Sequence, residues 1–318
     1  MQRAARFVLH HVTHLGSGMR LDRFLKKLYP HVPASLLQKA IRTKDIAVEG
    51  AKTSPQHVLQ DKNEVAVYKG LTQPQALSPK KRTNKALALL IPKVAEWVLC
   101  ETADMVVLNK PAGVAVQGGT GQRVSLDRLI AAWQGKPVYV VHRLDKDTTG
   151  VLVLAKHAHA AAQLSEIFRT QNAQKVYWAL LSGRLPAAGG VYTSWLLKEK
   201  KGAQENVQTF DHEVEGAKKA VTRYKVLAQG PTAALVAFFP TTGRMHQLRV
   251  HAKALGAPIV GDKRYGKGDK SGLMLHARSL SFPHCAPFYA SLPSAFKGAL
   301  RQEGLTPPKE GDEQDPDG

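Results

Sequence analysis

Two apolar runs with a cluster of charge between them constrain the fold of this chain most. Residues 138–141 read VYVV and residues 151–154 read VLVL. Both have strand length, β-branched composition and no polar alternation, as strands buried on both faces do. Between them stand His142, Arg143, Leu144, Asp145, Lys146, Asp147, Thr148, Thr149 and Gly150. A connection that only reversed the chain would need a Gly and one Asp. Here the core carries Arg143, Asp145 and Asp147 to its own edge. One reading is a surface hairpin with a solvated salt bridge; the other is a charged site held at the rim of a core.

The flanking sequence falls into segments of different texture. Residues 18–69 predict a small αβ module. Its first helix, over 20–29, puts Leu21, Phe24, Leu25 and Leu28 on one face. A second opens near Pro33 with Ser35 as N-cap and a stripe of Leu36, Leu37, Ala40 and Ile41. Short strands are expected at 46–48, 58–59 and 65–67. Residues 1–17 form an N-terminal extension that alternates like an edge strand over 7–12, although its Arg-containing, acid-free start also fits an organellar presequence. Residues 70–95, with Pro74, Pro79 and Lys80–Lys81–Arg82, read as a basic linker that ends in an apolar stretch at 86–91, fit to pack on the next domain.

Residues 96–300 predict that second domain. Its strands are expected at 105–108, 138–141, 151–154, 175–181, 224–227, 233–239, 274–277 and 280–282, with a Gly- and Lys-rich hairpin excursion in 186–220. Its helices are expected at 125–133, 158–170 and 247–255, the last stopped by Gly256 and Pro258. Residues 301–318 are acidic and expected to be disordered.

Charge bounds the partner. The chain carries +20, and the acidic tail from Arg301 carries a net −4, which leaves +24 on the rest. That excess suits a polyanion, nucleic acid before an acidic membrane. The longest apolar run is broken by Pro92 and Lys93, so no membrane span is predicted. Cys100 and Cys285 have no metal-like spacing and imply a reducing compartment. His10, His11 and His14 lack a neighbouring carboxylate or thiolate, so no metal site is predicted there.

The string HRLDKDTTG (142–150) resembles the signature of the RluA family of pseudouridine synthases. Four further stretches resemble the same family: Lys110, Pro111 and Gly113 in NKPAG, KVYWA at 175–179, residues 241–266, and LHARSLSF at 275–282. MRLDRFL (19–25) and LLQKAIRTKDIAVEG (36–50) resemble the S4-type RNA-binding domain. The implied fold class is α+β: an S4-like module, then a mixed, mainly antiparallel sheet with flanking helices. The resemblance implies Asp145 as catalytic carboxylate. It implies Tyr177 as the ring stacked on the target uracil and the nearest candidate base. It implies Arg249 as the partner that grips both oxygens of Asp145 and keeps it ionised.

Arg143 would fill the space left by a flipped base. Lys110, Lys175, Arg244 and His246 would contact the substrate, and Arg20, Arg23, Lys39, Arg42 and Lys44 would meet RNA phosphates. The reaction is an isomerisation, so no cofactor or metal is expected. The expected substrate is large-subunit ribosomal RNA, the RluC-like branch, with tRNA as runner-up. A monomer in the bacterial cytoplasm, or alternatively in the mitochondrial matrix, with no membrane partner, completes the expectation. Two rivals remain: a non-catalytic RNA-binding assembly factor that keeps the fold, and a glycoside hydrolase using Asp145 with Asp147. The second is disfavoured because an i, i+2 pair on one turn lies poorly for opposite faces of a sugar.

Overall fold

The computed structural model describes residues 7–14, 16–30, 32, 34–72, 85–118, 124–201, 204–268 and 271–309. The chain separates into two units, Met1–Arg82 and Thr83–Gly318. The first contains β1 (Phe7–His11), α1 (Leu21–Leu28), α2 (Ala34–Thr43), β2 (Ile46–Val48), β3 (Glu64–Tyr68) and α3 (Lys69–Thr72). Its antiparallel sheet has the order β1-β3-β2. Leu21 and Leu25 of α1 and Leu37 and Ile41 of α2 are buried against Ile46, Val65 and Val67, as their helical spacing requires. That packing leaves Arg20, Arg23, Lys39, Arg42 and Lys44 exposed.

The expected edge strand is present, as β1, but inside the module and not in a separate extension, and two further details differ from the sequence reading. The 7–11 stretch is part of this sheet, with Phe7 opposite Tyr68 and His11 opposite Glu64. Helix α2 begins at Ala34, one residue ahead of Ser35. Residues 58–59 form no strand. Their backbone bonds go to the entrance of α1, where Leu21 N–H donates to His57 and Leu59 N–H to Met19, and Val58 makes one isolated bridge to Arg20.

In the second unit, α4 (Lys85–Leu90) and α5 (Val94–Trp97) precede β4 (Val98–Glu101), β5 (Met105–Lys110) and α6 (Leu126–Gln134). Then come β6 (Tyr139–Val140), β7 (Thr149–Ala155), α7 (Ala158–Arg169) and β8 (Gln174–Ser182). The strand expected to be buried at 138–141 is only the two residues of β6, paired with β7 on one side, and Tyr139 is exposed. The hairpin of β9 (Gly189–Lys201) and β10 (Gln204–Phe210) leads to β11 (Lys218–Gln229) and β12 (Ala233–Pro240). The chain ends with α8 (Gln247–Ala254), β13 (Leu275–Ser281), β14 (Phe288–Tyr289) and α9 (Ser294–Gln302). One sheet runs β10-β9-β11-β12-β8-β13-β7-β5-β4, with β14 beside β13 and β6 beside β7. Among the described residues, β7–β13 is its one parallel pairing.

The two expected late strands are the single β13, bent by a bulge between Ala277 and Ser279. From residue 85 the expected linker is helical: Val94 is buried, and Leu87, Leu90 and Ile91 pack with it on the α6 side of the sheet. Residues 73–84 lie outside the described residues. The expected disorder does not begin at 301 either. Gln302 still belongs to α9, and Leu305 is buried in the same apolar cluster as Ala299 and Leu300. Residues 310–318 lie outside the described residues.

Every residue of β7 is buried. Leu152 and Leu154 pack with Leu126, Leu129 and Ile130 of α6, while Val151 and Val153 pack with Leu164 of α7 and Phe282. Each such side chain contributes about 1.5–3 kcal/mol by leaving water. The strand after the charged loop is thus fixed from both faces.

Candidate active site

Alternation along β8 puts Lys175 and Tyr177 on one face, while Trp178 turns into the core. The loop before β7 and the entrance of α8 close on that face. Together they form a cleft of about 240 Å³, lined among others by Arg143, Asp145, Lys175, Tyr177, Arg244, His246 and Arg249. Every site residue expected in this unit is brought together except Lys110.

Lys110 is fully buried, and its Nζ donates to the carbonyls of Pro111 at 2.9 Å, Lys146 at 2.8 Å and Thr148 at 2.8 Å. Burial pushes its pKa down to about 7, with the charges of Asp147 and Asp145 opposing. Three carbonyl acceptors call for three N–H donors, which only the ammonium form has. Lys110 therefore shapes the loop that carries Asp145; it is not a substrate contact. Asp147 is exposed and does not line the cleft, so the carboxylate pair of a glycoside hydrolase is not built here.

Three histidines hold the same frame, His251 and His276 fully buried and His142 partly so. His142 Nε2 accepts the Val153 N–H at 2.9 Å, and its ring stacks on Phe168 with centroids 4.2 Å apart. His276 accepts from the Thr149 hydroxyl at Nδ1, 2.8 Å, and donates from Nε2 to the Ala290 carbonyl, 3.1 Å. His251 lies between the hydroxyls of Ser194 and Thr222 at 3.0 and 2.9 Å. Burial pushes the pKa of His142 down to about 3 and those of His251 and His276 to about 4.

Unfolded, each of these rings titrates near 6.5, so between that pH and the folded value the unfolded chain binds more protons. Their stabilisation is therefore complete above pH 6.5 and is lost as pH falls towards 4, on the order of a few kcal/mol for each ring. Urea midpoints should fall steeply from pH 6.5 to 4.5, and His276→Asn should flatten that slope. A flat midpoint over this range would show that these rings are not held neutral.

Among the described residues the Asp145 carboxylate has two basic neighbours, both at Oδ2: Arg249 Nη1 at 3.3 Å and His246 Nε2 at 3.8 Å. The expected two-pronged grip is elsewhere. Arg249 Nε and Nη2 donate to Asp262 Oδ2 and Oδ1 at 2.8 and 2.7 Å. The guanidinium spends its Nε/Nη2 edge on the buried carboxylate and reaches Asp145 with Nη1. Burial opposes ionisation of Asp262, but Arg249 and the N–H groups of Tyr265 and Arg264 outweigh it and hold the carboxyl below its ordinary value.

Tyr265 lies under Arg249, 5.2 Å from ring centroid to guanidinium carbon, and its hydroxyl meets His246 Nδ1 at 2.8 Å. His246 caps α8 in the left-handed region at φ 54°. Sequence reasoning missed Asp262 and Tyr265. The signal for them was Gly261-Asp262 and Tyr265-Gly266, an acid and an aromatic framed by glycines inside the 241–266 stretch.

Burial, and then the charge of Asp145, push the Tyr177 phenol above its ordinary value. It enters the cleft as a neutral ring, which weighs against the base role. Arg143 and Arg244 stand exposed at the rim, Arg244 with its Nε on the Lys219 carbonyl at 3.1 Å.

Residues 104–254 match the RNA pseudouridylate synthase family. Over 271 residues the chain is 34% identical to the ribosomal large subunit pseudouridine synthase C of Rickettsia bellii, covering 82% of this chain and 88% of that one. The chain belongs to the pseudouridine synthase family. A second relative, the ribosomal large subunit pseudouridine synthase C of Haemophilus influenzae, is 32% identical over 303 residues, 90% of this chain and 92% of that one. Among solved structures, human RNA pseudouridylate synthase domain containing 4 aligns with a TM-score of 0.62 at 28% identity, over 71% of this chain and all of that one. The pseudouridine synthase reading, its RluC-like character and the α+β sheet expected from the sequence all hold. As an RNA pseudouridine synthase the protein is an isomerase. No described helix is long and apolar enough to cross a membrane.

Proposed function

We propose that this pseudouridine synthase modifies uridines of large-subunit ribosomal RNA, with Asp145 as its catalytic carboxylate. One observation carries the residue assignment: Asp145 lines the same cleft as Tyr177, and among the described residues its side chain is contacted on Oδ2, by Arg249 and His246. Oδ1 takes part in neither contact and is the oxygen assigned to the nucleoside. The reaction breaks N1–C1′, turns the base, joins C5 to C1′, and moves the C5 proton to solvent while N1 gains one. Atoms and electrons balance without a redox partner.

Tyr177 stacks on the detached uracil. Arg143 fills the space the flipped base leaves, and Lys175, Arg244 and His246 hold the nucleotide. The exposed cations Arg20, Arg23, Lys39, Arg42 and Lys44 of the first unit neutralise RNA phosphates, which gives affinity without sequence choice. Two arguments favour ribosomal RNA: the relatives that align along most of the chain carry that substrate in their names, and the net charge of +20 suits a large polyanion. The enzyme would act as a monomer in the bacterial cytoplasm, where that RNA is made.

The test is tritium release from transcripts carrying [5-³H]uridine. Unmodified large-subunit ribosomal RNA should release label, and a tRNA mixture should not. Release from tRNA alone would move the enzyme to the other substrate, and release from neither would leave the ribosomal assignment without support.

A further inference from the structure

Two carboxylates share one guanidinium at this cleft, and the deeper one holds the better geometry. We infer that Asp262 is a positioning residue for pseudouridine formation: it fixes Arg249 so that the guanidinium offers Asp145 one N–H in place of its fork. The inference rests on the assignment of Asp145 as catalytic carboxylate.

Asp262 is 1% exposed and accepts four hydrogen bonds. Two come from Arg249 and two from the backbone N–H groups of Arg264 at 2.8 Å and Tyr265 at 3.0 Å. It has no room to shift. Gly261 before it has φ +75°, and a Cβ there would lie 1.7 Å from the Gly272 carbonyl oxygen, so the two backbone segments cross in direct contact. The backbone bond to Tyr265 also sets that ring under Arg249 and its hydroxyl against His246, while Val207 N–H donates to the same hydroxyl at 3.1 Å. One buried carboxylate thus places both groups that touch Asp145 Oδ2.

The consequence is chemical. A carboxylate gripped on both oxygens is held in one rotamer with its charge neutralised. Contacted on one oxygen at 3.3 Å, Asp145 keeps an oxygen and some torsional freedom for the nucleoside. Asp262→Asn keeps shape and removes charge, so the fork of Arg249 would turn to Asp145 and close it off.

A mere counter-charge for Arg249 would affect stability alone; a positioning residue acts on chemistry through Arg249. A double-mutant cycle on the single-turnover rate constant separates the two. The substrate is a mixture of unmodified large-subunit ribosomal RNA and tRNA transcripts labelled at uridine C5, with enzyme in excess. We expect Asp262→Asn to slow the chemical step about a hundredfold, the scale of an ångström misplacement, with RNA affinity within a few-fold. The double variant Arg249→Gln/Asp262→Asn should be no slower than Arg249→Gln alone.

Multiplicative rate losses, or an Asp262→Asn defect confined to affinity, would overturn the inference. Should Asp262→Asn show no cooperative melt, Asp262→Glu, which keeps the charge but displaces it, takes its place in the cycle with the same two readings. Asp145→Asn in the same assay tests the underlying assignment separately. If it turns over, the assignment fails; if it is inactive and the cycle is multiplicative, only the inference about Asp262 fails.

Discussion

Asp145→Asn should abolish pseudouridine formation, by about a thousandfold or more, which is about 4 kcal/mol of barrier. RNA affinity should stay within a few-fold and the melting temperature within a few degrees. The substitution is isosteric and takes one charge from a side chain that is 26% exposed. It leaves no buried charge unpaired, because Arg249 keeps both of its bonds to Asp262. The cationic surface that meets phosphates is untouched, so binding persists while the nucleoside loses the carboxylate that acts on it. Tritium release and filter binding on the same preparation separate the two effects. Near-normal turnover in this variant would remove Asp145 from the mechanism.

The second large effect is on the fold. Gly150→Ala should cost about 3 kcal/mol or more of stability. Gly150 has φ +107°, outside the range an L side chain adopts without strain, and a Cβ built there lies 2.1 Å from the carbonyl oxygen of Ala277. That atom is backbone in β13, at its parallel pairing with β7, where Ala277 faces Gly150 on one side and Tyr177 on the other. No side chain can rotate away to make room, so β7 must separate from β13. The same displacement would carry the 142–148 loop, and with it Asp145, away from Tyr177. Activity should therefore fall even at temperatures where the variant stays folded. Urea unfolding measures the first effect and single-turnover kinetics the second. A stability loss under about 1 kcal/mol with full activity would show that the two strands can part without consequence, against the packing argument.

Local pattern carried a large part of this protein in the sequence alone. The apolar run at 151–154 gave the buried strand β7, because burial on two faces leaves no polar alternation, whereas the equally apolar run at 138–141 yields only the two-residue β6, with Tyr139 exposed. Helical spacing gave α1, α2, α6, α7 and α8 to within a residue or two, and the i, i+2 relation put Lys175 and Tyr177 on one face. The charge excess and the HRLDKDTTG string then pointed to the chemistry.

What periodicity could not supply was which partners the tertiary fold brings to each charge. Lys110, in its Lys-Pro-x-Gly turn, reads as a substrate contact. It is buried because β5 delivers it beneath carbonyls 36 and 38 residues further along. Arg249 reads as the partner of Asp145, yet its fork is taken by Asp262, which a glycine-framed crossing of backbone holds thirteen residues on. Gly150 reads as a turn residue, and its real constraint is a strand 127 residues away. In each case sheet order and burial decided the outcome. A charge left in water is free to meet substrate, whereas one taken out of water must bind whichever donors or acceptors the packed backbone places beside it.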